Sequence, residues 1–287
     1  MNLVAQGNGM TAAHAAELSR LSGSPFGLIR ASAYRFKVGA RDPQIAPWCE
    51  ARRIDHAFVA DGQRFDRLKL VAMDMDSTLI TIECIDELGD LAGKKAEIAA
   101  ITAQAMRGEI AYPESLRKRV GLLAGLQEDA LRRVYEERLR LTAGAEQLIA
   151  ACKASGVKLL LVSGGFTYFT EKLKARLGLD YAISNVLESA AGKLTGRLTG
   201  DIVDAEAKAK RFQEVAKDLK AERAQTLAIG DGANDLNMMA QAGFSVAFRA
   251  KPVVQAQASC ALNHSGLDGV LNLFEPASAP PISRRSP

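Results

Sequence analysis

From residue 68 onward, short apolar runs alternate with longer amphipathic segments, as is typical of the strands and helices of a parallel α/β sheet. Four runs predict buried strands, at residues 69–73, 157–162, 226–229 and 244–247. The first three end at polar clusters, at residues 74–76, 163–165 and 231–232. Because ligands bind beyond the carboxyl ends of such strands, we expect these clusters to meet in one crevice.

Residues 83–141 have a different pattern, with apolar positions at the spacing of packed helices and no strand signal. This segment follows the first strand and its polar cluster. We therefore expect it to form a helical cap that closes over the crevice and excludes water. Residues 187–204 predict a hairpin around Gly192 before the chain returns to helix.

The first 66 residues are less regular and predict a small α+β module. Their pattern indicates helices near 12–21 and 47–54 and strands near 28–38 and 57–60. The fold class is therefore α/β, with a Rossmann-like parallel-sheet core (67–82 and 142–274), a helical cap insertion (83–141) and the small N-terminal α+β module (1–66). Residues 275–287 contain too few apolar side chains to pack, so we expect a flexible tail.

Composition narrows the classes of partner. Hydrophobic residues make up 48% and charged residues 24% of the chain, which is ordinary for a soluble globular protein. The 37 basic residues are dispersed among 33 acidic ones, so the sequence predicts no nucleic-acid partner. The four cysteines are widely spaced and include no C-x-x-C pair, which favours reduced thiols over a zinc site.

The sequence also argues against a membrane partner. The first ten residues lack a basic segment followed by an apolar one, and no run reaches the roughly 18 apolar residues needed to span a bilayer. We therefore expect a cytoplasmic protein.

The first polar cluster, Asp74-Met75-Asp76-Ser77-Thr78, follows a predicted strand. In an extended stretch the two carboxylates and the threonine recur at alternate positions and approach a common ligand. One carboxylate could attack phosphorus while the other donates a proton to the leaving oxygen and later removes one from water. Helix capping or a solvated turn is the alternative.

The second cluster, Ser163-Gly164-Gly165, follows another strand and is expected to begin the helix at residues 166–177. Free backbone N–H groups and a hydroxyl at a helix start form an anion site. A plain N-cap serine, with glycine permitting the turn, is an equally simple interpretation.

The third cluster, at residues 230–235, places two carboxylates and an amide in a glycine-bent loop. Mg²⁺ prefers such oxygens, and Asp74, Asp231 and the carbonyl of Asp76 could supply them. An EF-hand calcium loop would need a glutamate at its twelfth position, which is absent. Lys208 could screen the repulsion between Asp74 and a phosphate, although a solvated lysine is the ordinary reading of such a basic stretch.

Taken together and in this order, these segments resemble the haloacid dehalogenase-like superfamily. Residues 73–78, 82–87, 115–120, 162–166 and 229–236 are similar to the branch that acts on phosphoserine, and the resemblance extends over about 70–269. It implies a nucleophile at Asp74, a general acid and base at Asp76, and phosphate ligands at Ser163 and Lys208. It also implies a Mg²⁺ site that uses Asp74, Asp76 and Asp231, with Asn234 and Asp235 in support.

The same resemblance implies how the substrate is selected. Glu83 would face a substrate ammonium, and Arg119 would bind its carboxylate with paired donors. Met106 and Tyr112 would line the pocket, and the backbone of Gly164 and Gly165 would add contacts. Surface charges at Glu83 and Arg119, and a core position for Met106, are the alternatives.

The activity implied is hydrolysis of the small molecule O-phospho-L-serine to serine and phosphate through a phospho-aspartyl intermediate, the last step of serine synthesis. Phosphoryl transfer to another alcohol such as homoserine is a close alternative. A non-enzymatic regulatory protein that accepts a phosphoryl group on Asp74 is a second. The N-terminal segment shows no convincing ligand motif, so we expect it to serve packing or homodimer contacts.

Overall fold

The structure, a computed structural model, describes residues 1–275. Its strands are β1 (Asn2–Gln6), β2 (Phe26–Arg30), β3 (Ala33–Lys37), β4 (Asp55–Val59), β5 (Leu70–Met73), β6 (Lys158–Phe166), β7 (Tyr181–Ala190), β8 (Lys193–Thr199), β9 (Thr226–Gly230), β10 (Phe244–Phe248) and β11 (Cys260–Leu262).

The α-helices that precede β9 are α1 (Ala12–Ser22), α2 (Ile45–Ala51), α3 (Cys84–Leu91), α4 (Lys95–Met106), α5 (Tyr112–Gly121), α6 (Asp129–Arg133), α7 (Ala145–Ala154), α8 (Thr167–Leu177) and α9 (Ala205–Asp218). Three short helices follow, α10 (Leu236–Gln241), α11 (Pro252–Gln255) and α12 (Gly269–Asn272). No helix within residues 1–275 is long and apolar enough to cross a membrane.

The larger sheet has the strand order β11-β10-β9-β5-β6-β7-β8, and its strands are parallel except for β8. Met73 at the end of β5 pairs with Leu161 of β6 and Ile229 of β9. The polar clusters after these strands therefore lie side by side at one edge of the sheet. The predicted α/β class with a parallel sheet is confirmed.

The central strands are apolar throughout because the sheet is covered on both faces. Alternate side chains of β5 point to opposite faces, so Val71 and Met73 join one hydrophobic cluster while Leu70 and Ala72 join the other. The apolar runs in the sequence follow directly from this burial.

Several elements differ from the sequence expectation. The strand predicted at 28–38 is a hairpin of β2 and β3, and its turn contains Ser32 in the left-handed region, with φ at 61°. The predicted hairpin around Gly192 is present as β7 and β8, with positive φ at both Ala191 and Gly192, the conformation that a tight hairpin turn requires. Strands β1 and β11 were not predicted.

Residues 1–66 form an antiparallel sheet of order β2-β3-β1-β4 with α1 and α2 on one face. Leu3 and Ala5 of β1 pack against these helices, whereas Val4 between them joins the hydrophobic cluster of the larger sheet. The small sheet is therefore buried between its own helices and the larger sheet's domain. The division into domains stays a prediction, and residues 276–287 of the predicted tail lie outside the described residues.

A buried carboxylate joins β4 to the loop after β11. Asp55 is 3% exposed, and its oxygens accept hydrogen bonds from the backbone N–H groups of Asn263 at 2.7 Å, His264 at 3.0 Å and Ser265 at 2.7 Å. The N-terminal residues are thus attached to the core by directional polar contacts as well as by apolar packing.

Helices α3 to α6 extend from the carboxyl edge of the larger sheet. The backbone N–H groups of Gly125 and Glu128 donate to the carbonyls of Leu194 and Gly192, at 2.8 and 2.9 Å. These bonds connect the helical segment to the β7–β8 hairpin, so the helices lie over the strand ends where the polar clusters meet.

Candidate active site

The loop after β5 turns sharply. Asp74 and Asp76 have extended backbones, with φ and ψ of −70° and 161° and of −66° and 138°. Ser77 then adopts a left-handed conformation at φ 56°, so the expectation of a continuous extended stretch through Thr78 is wrong. Because of this turn the Thr78 hydroxyl donates to Asp231 Oδ1 at 3.1 Å and thereby joins the β5 loop to the β9 loop.

Lys208 lies at the centre of the polar cluster and is fully buried. Its Nζ donates to Asp74 Oδ1 at 2.9 Å and to Asp235 Oδ1 at 2.8 Å. Helix α9 positions it in the first turn, where the Asp204 side chain caps the helix by accepting from the N–H groups of Glu206 and Ala207. Lys208 is therefore not part of a solvated face.

The cluster carries more negative than positive charge. Burial, and after it the charge of Asp235, raises the pKa of Asp74 well above its usual range, although Lys208 opposes the shift. Burial and Asp235 likewise raise the pKa of Asp231 to about 6. Burial alone would lower the pKa of Lys208, but Asp235 and Asp74 outweigh it and keep this side chain charged. One ammonium thus faces three carboxylates.

The same carboxylates fit a hard cation. Asp74, Asp231 and Asp235 each offer an oxygen, and these atoms lie within 4.8 Å of one another. Both oxygens of Asp235 are occupied, one by Lys208 and the other by the N–H of Gly232 at 3.0 Å. Within residues 1–275, Asp74 Oδ2 and Asp231 Oδ2 have no hydrogen-bond partner, which leaves them available to a metal ion.

Asp76 is held beside the cluster in a different environment. Its Oδ1 accepts from the N–H of Cys84 at 2.9 Å, and its Oδ2 lies 3.4 Å from the donating hydroxyl of Ser163. Burial, followed by the charge of Glu83, raises the pKa of Asp76 to about 7. This carboxyl can therefore be present in both protonation states near neutral pH, as a group that first gives and then takes a proton requires.

The loop after β6 approaches these carboxylates closely. Strand β6 continues through Phe166 with a register irregularity, and α8 begins at Thr167, so Ser163 to Gly165 do not open the helix as expected. Ser163 Oγ accepts from the N–H of Gly165 at 2.8 Å. A Cβ at Gly165 would lie 2.6 Å from Asp76 Oδ2, so only glycine fits there.

A cavity of about 670 Å³ lies between the strand ends and the cap helices. The core side of its wall contains six predicted residues, Asp74, Asp76, Gly164, Gly165, Asp231 and Asn234, and the cap side contains four, Glu83, Met106, Tyr112 and Arg119. Ser163, Lys208 and Asp235 lie behind the wall and are almost fully buried. The structure therefore brings ten of the predicted residues to one cavity and the other three directly behind it.

The cap side is held by fewer contacts. Ser77 Oγ donates to Glu83 at 2.6 Å, and the Tyr112 hydroxyl donates to the carbonyl of Gly164 at 3.2 Å. Met106 is 62% exposed, and its sulfur lies 3.7 Å from Lys251 Nζ. The cap residues thus contact the core at its rim rather than through buried ion pairs.

Some lining residues were assigned no role from the sequence, although Asp86 and Ser115 stand in segments 82–87 and 115–120, which carry the resemblance. Lys251 and Val253 follow β10, whereas Asp86 and Ser115 belong to cap helices. Lys251 and Val253 could be found only by knowing that the loop after β10 reaches the same edge as the other strand ends.

A family model described as haloacid dehalogenase-like hydrolase matches residues 71–240. The chain belongs to this family, and the resemblance seen in the sequence is confirmed.

Within the family, the proteins similar to this chain include phosphoserine phosphatases. The enzyme of that name from Polaromonas sp. is 56% identical over 212 residues, which cover 72% of this chain and 90% of that protein. An unliganded structure of a probable phosphoserine phosphatase from Vibrio cholerae has a TM-score of 0.82 at 37% identity, covering 95% of this chain and 86% of that one. A phospho-aspartyl intermediate analogue of a phosphoserine phosphatase has a TM-score of 0.68 at 38% identity, covering 72% and 99%.

Proposed function

We propose that this chain is a Mg²⁺-dependent phosphoserine phosphatase that hydrolyses O-phospho-L-serine to serine and phosphate, the last step of serine biosynthesis. The observation that carries the proposal is the joining of Asp74, Lys208, Asp231 and Asp235 in one buried cluster at the floor of a cavity lined by Glu83 and Arg119. The charged groups on the core side of the cavity are suited to phosphoryl transfer, and those on the cap side are suited to binding an amino acid.

In the first step Asp74 attacks phosphorus, and the bond from phosphorus to the serine oxygen breaks. Asp76 gives its proton to that oxygen, so that serine leaves with a neutral hydroxyl. In the second step Asp76 takes a proton from water as the water attacks phosphorus, and the acyl phosphate on Asp74 is cleaved. The likeness to a phospho-aspartyl intermediate analogue of a phosphoserine phosphatase supports this route.

Attack of one anion on another needs positive charge around the transferred group. The Lys208 ammonium has three N–H donors, of which two bond Asp74 and Asp235. The third would donate to a phosphate oxygen. Ser163 and the backbone at Gly164 would bind the phosphate beside Asp76. Asp74, Asp231 and the Asp76 carbonyl would hold Mg²⁺, with Asp235 and Asn234 in support. The bound ion would neutralise charge on the phosphoryl oxygens.

The opposite charges of Glu83 and Arg119 on the cap side match the ammonium and carboxylate of an amino acid. Arg119 suits a carboxylate because a guanidinium offers paired, coplanar donors. Met106 and Tyr112 would enclose the short carbon chain between the two polar ends. The named relatives support this choice of substrate.

The proposal is tested by measuring phosphate release from phosphoserine, phosphothreonine and sugar phosphates, with Mg²⁺ and with a chelator. We expect phosphoserine to be the best substrate and the chelator to remove activity. Product analysis with added homoserine separates hydrolysis from transfer, since only transfer yields phosphohomoserine. A stable phospho-aspartate without turnover would instead indicate a phospho-acceptor protein and contradict the proposal.

A cytoplasmic location and a homodimer remain predictions. Fractionation of cells and sedimentation of the purified protein would test them.

A further inference from the structure

One buried hydroxyl in the cap has no hydrogen-bond partner among the residues that the structure describes. Ser115 of α5 is fully buried, and its Oγ makes no hydrogen bond to any of the residues that the structure describes. A serine hydroxyl in a helix can instead donate to the carbonyl four residues earlier. Here the Ala111 carbonyl accepts from the Ser115 N–H at 2.9 Å, and the Ser115 hydroxyl does not make this second bond. Because buried hydroxyl groups are nearly always partnered, this one needs an explanation.

The position of Ser115 suggests where a partner would come from. Ser115 borders the catalytic cavity and lies one helical turn before Arg119 on the same face of α5. Helical side chains lean towards the N-terminus of their helix, and Arg119 Nε accordingly lies 3.4 Å from the carbonyl oxygen of Ser115. An anion held by Arg119 therefore comes within reach of the Ser115 hydroxyl.

We propose that Ser115 is a further specificity-determining residue, whose hydroxyl donates a hydrogen bond to the substrate carboxylate that Arg119 holds. The inference rests on the proposed function, because it requires an amino-acid phosphate in the cavity. A hydroxyl that bonds an ionised acceptor makes one of the stronger hydrogen bonds in proteins. A substrate without a carboxylate would leave this donor unpaired, and a site built this way discriminates sharply against such analogues.

The test compares Ser115→Ala with the wild type on phosphoserine and on phosphoethanolamine, which lacks only the carboxylate. We expect kcat/KM for phosphoserine to fall about tenfold, mainly through KM, and kcat/KM for phosphoethanolamine to change less than about twofold. The matched control is Ser265→Ala, since Ser265 is 6% exposed, has an unpartnered hydroxyl within the described residues and lies outside the cavity. Its ratio of the two substrates should equal that of the wild type.

The outcomes separate this inference from the proposed function. If the wild type does not prefer phosphoserine to phosphoethanolamine, the proposed function fails before any variant is considered. If it does, an unchanged preference in Ser115→Ala, or equal losses on both substrates, overturns the role of Ser115. Should Ser115→Ala fold poorly by circular dichroism, Ser115→Cys, which keeps the size and weakens the donor, must show an intermediate preference for the inference to stand.

Discussion

The two walls of the catalytic cavity are built by different means. On the core side, Lys208 and Asp235 are fully buried and bonded to each other at 2.8 Å, so their geometry is fixed by the sheet before any ligand arrives. On the cap side, Met106 is 62% exposed, and within residues 1–275 the one hydrogen bond of Arg119 is a long one to its own helix. The comparison indicates that the core wall provides chemistry common to any phosphate ester and the cap wall provides selection.

The largest effect should follow from removing the nucleophile on the core wall. Asp74→Asn is nearly isosteric, and it should lower turnover on the order of 10⁴-fold or more for every substrate, because the acyl phosphate cannot form. Phosphate release from phosphoserine and from an aryl phosphate measures the loss, and circular dichroism checks that the variant folds. Retained hydrolysis of either ester would reject the mechanism.

A second core substitution should cost stability as well as activity. Lys208→Met leaves Asp74, Asp231 and Asp235 without their buried cation, and removing one partner of a buried ion pair costs about 3–5 kcal/mol. Urea unfolding in the presence of a chelator measures this loss. Lys210→Met on the exposed face of the same helix is the matched control and should change stability little.

The loss in Lys208→Met should also depend on pH in a defined direction. Burial already raises the pKa values of Asp74 and Asp231 in the folded state, and without the lysine they lie further above the unfolded value near 3.9. A carboxyl with a raised pKa binds its proton more tightly in the folded state, so the free energy of unfolding falls as pH rises from the unfolded pKa towards the folded one. The stability lost in Lys208→Met relative to Lys210→Met should therefore grow as pH rises above about 4 and disappear below it. A deficit that does not vary with pH would show that lost packing, rather than unpaired charge, is responsible.

A smaller and more selective effect than that of Asp74→Asn should come from the cap wall. Arg119→Ala should lower kcat/KM for phosphoserine about a hundredfold, because a charged bond to the carboxylate is lost, and should leave an aryl phosphate nearly unchanged. Arg117→Ala, on the exposed face of the same helix, is the control and should alter neither substrate. Equal losses on both esters would erase the distinction between the two walls.

The sequence predicted the core wall well because its signals are local. A buried parallel strand reads as an unbroken apolar run, and the polar residues that end it, such as Asp74 and Asp231, are obvious beside it. Because the carboxyl ends of parallel strands lie at the same edge of a sheet, residues more than 150 positions apart could then be assigned to one site.

Other features could not be predicted because tertiary contacts decide them. Ser32 and Ser77 adopt positive φ without glycine or asparagine to announce a turn, so one hairpin appeared as a single strand and the catalytic loop appeared extended. Strand β11 has only three residues and exists because β10 pairs with it. Ser115 stands in a segment that carries the resemblance, but a role for its hydroxyl is indicated only by its burial without a partner among residues 1–275.

The bond pattern around Asp55 has a consequence for the whole molecule. Three successive backbone N–H groups that converge on one point form a concavity that would otherwise attract a free anion. Here Asp55 of β4 supplies the carboxylate that fills this concavity. Because β4 is joined to β5 by a short segment of the same chain, the effective concentration of that carboxylate is on the order of millimolar or higher. In terms of linkage, β4 acts as a permanently attached ligand that stabilises the core by mass action.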